Sequence, residues 1–210
     1  MDHDLEQSSA QQPADQGGGA KKKEKNEVWE WVKAIVIALV LVFLIRWLLF
    51  KPFIVDGPSM QPNFHTGERV IVNEILYKIR QPERGEVIVF HVPEENRDFI
   101  KRVIAVPGDT VTVDGDVVKV NGKQIEEPYI QNAIQEAHAK GEDYNSLMDF
   151  PNGMNEETKV PEGKIFVMGD NRSNSTDSRK LGFIDLKEVI GRADVIFWPV
   201  NDMKWINHDE

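Results

Sequence analysis

The rhythm of apolar and polar positions changes near residue 50. Before it, Ala34 to Ile45 runs for twelve residues without a charge. After it the apolar residues come in short runs, separated by turn residues. Arg69-Val70-Ile71-Val72 is rich in β-branched side chains and reads as a strand, as does Gly85 to Phe90. Thr110 to Val113 and Val117 to Val120 flank Asp114-Gly115-Asp116, whose residues tolerate positive φ, so the three pieces predict a hairpin. Asn121-Gly122 marks a further turn. Lys164 to Met168 and Ala193 to Trp198 are strong strands near the end. Gln131 to Thr158 breaks the pattern: it is polar, poor in β-branched residues, and reads as an inserted loop or short helix. The fold class expected is mostly β, one domain of many short strands over 51–210, with 131–158 as a polar insertion.

The first fifty residues read differently. Residues 1–27 begin with a polar stretch containing Gly17-Gly18-Gly19, which buries too little apolar surface to order itself. Lys21, Lys22, Lys23 and Lys25 follow. Residues 28–50 are the membrane candidate. A spanning helix needs about 20 residues, and the flanks of the uncharged run supply the rest. Trp29, Trp31 and Trp47 suit an interface, and Lys33 and Arg46 can extend their charges outward along their stems. The alternative is the apolar core of a cleaved signal peptide, which needs small residues downstream. Arg46 to Pro52 offers none. The expectation is an uncleaved transmembrane helix in the phospholipid bilayer of the cell membrane. The upstream lysines outnumber Lys51, placing the N-terminus in the cytoplasm and the rest of the chain outside.

Composition narrows the chemistry. The 210 residues carry 25 basic and 35 acidic side chains, a formal charge of -10, which argues against nucleic acid as a partner. Cysteine is absent, which removes disulfides, thiolate metal sites and a cysteine nucleophile. None of His3, His65, His91, His138 and His208 stands in a zinc-ligand spacing, so no metal or cofactor is expected.

Two residues stand out as a nucleophile and a base. Ser59 sits in the stiff turn Gly57-Pro58-Ser59-Met60-Gln61-Pro62. Read alone, this is an ordinary surface turn, and it lacks the Gly-x-Ser-x-Gly elbow of the α/β-hydrolases. Lys101 lies in the apolar run Phe99 to Ile104, on the same strand face as Phe99, Val103 and Ala105. Such surroundings strip solvent from an amine and lower its pKa, although a snorkelling lysine with a wet amine also fits. The loop Gly169 to Arg179 follows a strand and is dense in hydrogen-bonding side chains. Asp177 and Arg179 can pair and fix it, and a hydroxyl there can orient the lysine. A Ser-His-Asp set using His65 or His91 with Asp170 is the weaker alternative.

These blocks, with Gly67 to Val72 and Lys101-Arg102-Val103-Ile104-Ala105-Val106-Pro107-Gly108-Asp109, resemble bacterial type I signal peptidases, also called leader peptidases. The resemblance runs from the anchor to Trp198, and the short insertion and single anchor resemble the Gram-positive branch. It implies coiled antiparallel sheets and a membrane-anchored Ser/Lys endopeptidase that removes signal peptides from exported preproteins. Ser59 matches the nucleophile, Lys101 the general base, and Ser175 the serine that hydrogen-bonds the lysine amine. Asp177 and Arg179 match a structural pair, with Asp170 beside them. Some members use a serine two before the nucleophile in the oxyanion hole. Here Gly57 stands there, leaving backbone N–H groups, chiefly that of Ser59. Phe53, Val55, Met60, Asp98, Phe99 and Ile100 are the expected substrate contacts, with shallow pockets that favour Ala-x-Ala. The rivals are a non-enzymatic anchored β domain and a self-cleaving Ser/Lys protease. The first gives Lys101 no task, and the second comes with a DNA-binding domain.

Overall fold

The computed structural model describes residues 21–208. The chain divides into two units, 1–45 and 46–210. The tail expected over 1–27 falls mostly outside the described residues. Helix α1 (Lys21–Leu49) begins inside that expected tail and takes in nearly all of the expected anchor. Among the described residues no helix is long and apolar enough to cross a membrane. Of the spanning segment expected over 28–50, residues up to Leu49 lie in α1, and its last residues are not among those whose side chains are described. On its N-terminal side Lys33 borders the uncharged run Ala34 to Ile45 and pairs with Glu30 at 2.7 Å.

The second unit is built of antiparallel strands. They are β1 (Phe50–Ile54), β2 (Arg69–Asn73), β3 (Val87–Val92), β4 (Arg97–Ala105), β5 (Val111–Asp114), β6 (Val117–Val120), β7 (Lys123–Gln124), β8 (Lys164–Met168), β9 (Ile184–Asp185), β10 (Val189–Trp198) and β11 (Lys204–Trp205). Three short helices join them: α2 (Leu76–Ile79), α3 (Gln131–Ala139) and α4 (Ser178–Leu181). The large sheet runs β1-β2-β10-β3-β4-β8-β9, with β11 on β10. A smaller sheet, β5-β6-β7, contains the expected hairpin.

Three buried clusters hold the unit together. Val55, Met60, Phe64, Val70 and Ile196 fill the space beside β1, β2 and β10. Ile88, Phe90, Val103 and Val167 pack between β3, β4 and β8. The third joins the small sheet to the large one through Val111, Val113, Phe150 and Phe166. Phe150 belongs to the insertion. Its ring lies 4.6 Å from that of Phe166, and its N–H and C=O bond Val113 at 2.9 and 2.7 Å. Burying a side chain of that size stabilises by about 1.5–3 kcal/mol. The insertion is thus rooted in the core.

Candidate active site

The site grows from a change of pairing along β4. Residues 97–102 pair with β3, but pairing with β8 starts only at Arg102. Up to Lys101, therefore, one edge of β4 is open. Burial follows the same step: Arg97 and Asp98 are exposed, Phe99 is half-buried, and Ile100 to Ala105 are buried. Lys101 stands where the strand enters the protein.

Its side chain is 3 % exposed. Nζ lies 2.8 Å from Ser59 Oγ and 2.8 Å from the Ile100 carbonyl, and 4.9 Å from the centre of the Phe99 ring. Burial is the largest influence on the amine and pushes its pKa down to about 8, against the pull of the Asp177 and Asp170 carboxylates. An amine so placed exchanges its proton near neutral pH, which a solvated lysine does not.

Ser59 is presented by a tight turn after β1. Gly57 starts it at φ +93, a conformation that costs other residues a steric clash. Gln61 N–H then bonds Pro58 O at 3.0 Å, and Phe64 N–H bonds Met60 O at 3.0 Å. The fully buried side chains of Met60 and Phe64 nail the turn to the core.

The polar loop after β8 clamps this turn. Asn171 donates its N–H to Ser59 O at 3.0 Å and its side-chain amide to Pro58 O at 3.2 Å. Asn63, on the turn, donates to Asp170 at 2.8 Å. Asp170 also takes two hydrogen bonds from Arg102 at 2.9 Å, both partners being buried. Gly169 fits where nothing larger does: a Cβ there would collide with Ser59 O and Ser175 Oγ. Asp177 accepts from Gly169 N–H at 2.9 Å and from Arg179 at 2.8 and 2.9 Å. Burial works against its charge, but Arg179 and the Gly169 N–H outweigh it and hold the carboxyl below its usual value. Asp177 and Arg179 form a buried ion pair within this loop.

Ser175 is buried in the same loop, against Gly169, yet its Oγ reaches no partner at ordinary hydrogen-bond geometry. Its hydroxyl is nonetheless close enough to Asp177 to help hold that carboxyl below its usual value. The bond expected from Ser175 to the lysine amine is not formed; the second acceptor is Ile100 O. His91 pairs with Asp98 at 2.8 Å, and His65 lies 3.6 Å from Glu68, so neither bonds Asp170.

A cleft of about 390 Å³ opens beside Ser59 and Lys101, lined by Phe53, Ile54, Gly57, Arg97, Asp98, Phe99 and Ile100 among others. Four of the six expected substrate contacts are in this wall. Val55 and Met60 are not; both face the core beneath. Away from these residues, Asp116, His138 and Asp143 gather atoms of metal-ligand type within 4.8 Å. Asp116 already accepts from Asn145 N–H, Tyr144 N–H and His138 there, which explains its ionised state without a cation.

The model of the family described as signal peptidase, peptidase S26, matches residues 28–198. The chain belongs to this signal peptidase family. It is 44% identical over 182 residues to signal peptidase I of Bacillus licheniformis, covering 86% of this chain and 94% of that one. Signal peptidase IB of Staphylococcus aureus (strain MRSA252) is 40% identical over 185 residues, covering 86% of this chain and 95% of its own. A crystal structure of a signal peptidase I from Enterococcus faecalis aligns with a TM-score of 0.49 at 35% identity, covering 54% of this chain and 97% of that one. As a signal peptidase the chain is a peptide-bond hydrolase. Asn63, Asn171 and Gly169 were not singled out in the sequence. Asn171 and Gly169 lie inside the polar loop Gly169 to Arg179, whereas Asn63 carries no sequence signal.

Proposed function

We propose that the protein is a membrane-anchored serine endopeptidase that removes signal peptides from exported preproteins, with Ser59 as nucleophile and Lys101 as general base. The observation that carries this reading is the 2.8 Å contact between the buried, pKa-lowered Lys101 amine and Ser59 Oγ. Neutral Lys101 takes the Ser59 proton as Oγ attacks the carbonyl of the residue before the scissile bond. The Ser59 N–H stabilises the oxyanion, with Gly57 leaving room and adding no side-chain donor. Lys101 then gives its proton to the leaving amine and an acyl-enzyme forms. Water, activated by the same amine, hydrolyses the ester.

The open edge of β4 supports a mode of substrate binding. The cleavage segment adds as an extended strand beside Asp98 to Ile100 and is flanked by Phe53. Side chains that alternate toward the cleft floor meet Phe99 and Ile100 over the filled core that contains Val55 and Met60. In this reading large side chains are excluded by overlap with that floor, which favours Ala-x-Ala. Asp177, Arg179, Ser175 and Asp170 hold the loop that sets Ser59 against Lys101.

The anchor is part of the same reading. In α1 the consecutive residues Ile35, Val36 and Ile37, which point to different sides of the helix, are 56%, 51% and 59% exposed, an apolar surface that faces more than one side. A helix apolar all round belongs in an apolar medium. With Trp29 and Trp31 at one interface it would hold the catalytic unit outside the cell membrane, where enzyme and substrate are confined to one surface. The test is cleavage of a preprotein carrying an Ala-x-Ala junction by the detergent-solubilised full chain, with product ends read by mass spectrometry. Ser59→Ala and Lys101→Ala must both abolish cleavage; cleavage at the same bond by either variant refutes the assignment.

A further inference from the structure

The insertion 131–158 has no task in the chemistry above, yet it grips the site at two points. Tyr144 OH donates to the carbonyl of Asp170 at 2.9 Å and lies 3.4 Å from the carbonyl of Gln61. One hydroxyl therefore touches the polar loop after β8 and the turn that bears Ser59. The next residue, Asn145, is buried and accepts from the Arg179 guanidinium at 2.6 Å. Ser173 on the loop donates back to the Tyr144 carbonyl, and Ser146 Oγ lies 3.0 Å from Ser173 Oγ.

Tyr144 is itself held in place. Asp116, in the hairpin turn between β5 and β6, accepts the N–H of Tyr144 at 3.0 Å and that of Asn145 at 2.6 Å. Asn145 also donates to Gly115 O at 2.7 Å. Phe150, a few residues on, is buried in the core. The brace is thus fixed at both ends, by the small sheet and by the aromatic cluster under β8. Burial, the largest influence, raises the Tyr144 pKa, so the phenol keeps the proton it donates across the working range.

We propose that Tyr144 is a positioning residue: through its hydroxyl it locks the loop that keeps Lys101 dry onto the turn that carries Ser59. The proposal rests on the Ser59/Lys101 reading and adds to it a specific role for the insertion. Loss of the hydroxyl loosens the contact between loop and turn. Two consequences follow. Ser59 is held less well against the base, and a misplaced nucleophile slows chemistry more than binding. Water also gains access to the amine, which weakens the desolvation that lowers its pKa. The base then needs a higher pH to lose its proton.

The experiment compares the full chain with Tyr144→Phe on one preprotein across pH. The variant removes a single oxygen, so the fold should survive. The expected result is a roughly five- to tenfold fall in kcat at neutral pH with KM nearly unchanged, the size of one lost hydrogen bond. The acidic limb of the pH–rate profile should move to higher pH, so that part of the loss is recovered under alkaline conditions. Amide exchange should speed up over residues 169–179 and stay unchanged in β3 and β4. A variant with the wild-type pH profile and unchanged exchange over 169–179 overturns the brace. Lys101→Ala, run alongside, keeps the two claims apart: if it cleaves like wild type, the dyad fails, whatever Tyr144→Phe does. If it is dead and Tyr144→Phe matches wild type, the brace alone fails.

Discussion

Replacing Lys101 with methionine should inactivate the enzyme and make it more stable. The amine titrates at about 8 in the fold against 10.5 for a free lysine. Each pKa unit is worth about 1.4 kcal/mol, so holding the protonated amine in this buried position costs the fold about 3 kcal/mol at neutral pH. Methionine matches the stem, carries no charge and packs well. It gives up the hydrogen bonds to Ser59 Oγ and Ile100 O, a net loss of about 1 kcal/mol. The variant should therefore gain about 2 kcal/mol at pH 7. The sign of the pH dependence follows from the lower folded value. As pH rises, the folded wild type releases its proton before the unfolded chain does. Its penalty shrinks between about 8 and 10.5 and is gone above, so the variant's advantage should fade over the same window. Urea unfolding of both proteins from about pH 6 to about pH 10 measures this. A difference that stays constant across that range, or a variant less stable than wild type at pH 7, refutes the argument that this amine is held dry at a cost to the fold.

Three further outcomes are expected. The logarithm of kcat/KM should rise with pH up to about 8 and then level off, because only neutral Lys101 accepts a proton; a flat profile into the acid range contradicts a lysine base. Gly169→Ala should lower kcat by about a hundredfold while leaving KM little changed, since its methyl displaces the Ser59 carbonyl and with it the nucleophile, as steady-state kinetics on the purified variant would show. Arg102→Met should destabilise by about 3–5 kcal/mol in urea unfolding, because it leaves Asp170 as a buried charge without its cation.

Much of the scaffold was legible from residue pattern. β2, β8 and the β5–β6 hairpin fell where β-branched runs and turn residues put them, because those signals are local. β3 begins two residues after the expected start at Gly85 and runs on to Val92, and β10 extends well before Ala193. Those limits depend on which neighbour supplies hydrogen bonds, a tertiary fact. The lysine on an apolar face was visible as an anomaly, but its partner was not: the residues between Ser59 and Lys101 span strands β2 and β3, and no spacing rule joins them. Arg102 adjoins the lysine in sequence, but only the structure reveals its carboxylate, on the loop after β8. The insertion looked featureless because its contacts are made by single polar side chains, Tyr144 and Asn145, whose periodicity carries no information. Val55 and Met60 show the converse limit. An apolar residue beside a site can form the floor's support and not its surface, and sequence does not distinguish the two.

The half-paired state of β4 has a further consequence. Backbone donors and acceptors left unmatched along a strand will join any extended chain, a second molecule of the same enzyme included. Here the open stretch is short, and Glu95, Arg97 and Asp98 line its mouth. Charges of both signs at that position discourage sticky encounters between copies, while a substrate confined to the same surface would need no such attraction to dock. Discrimination against unwanted guests would then begin before any pocket is filled.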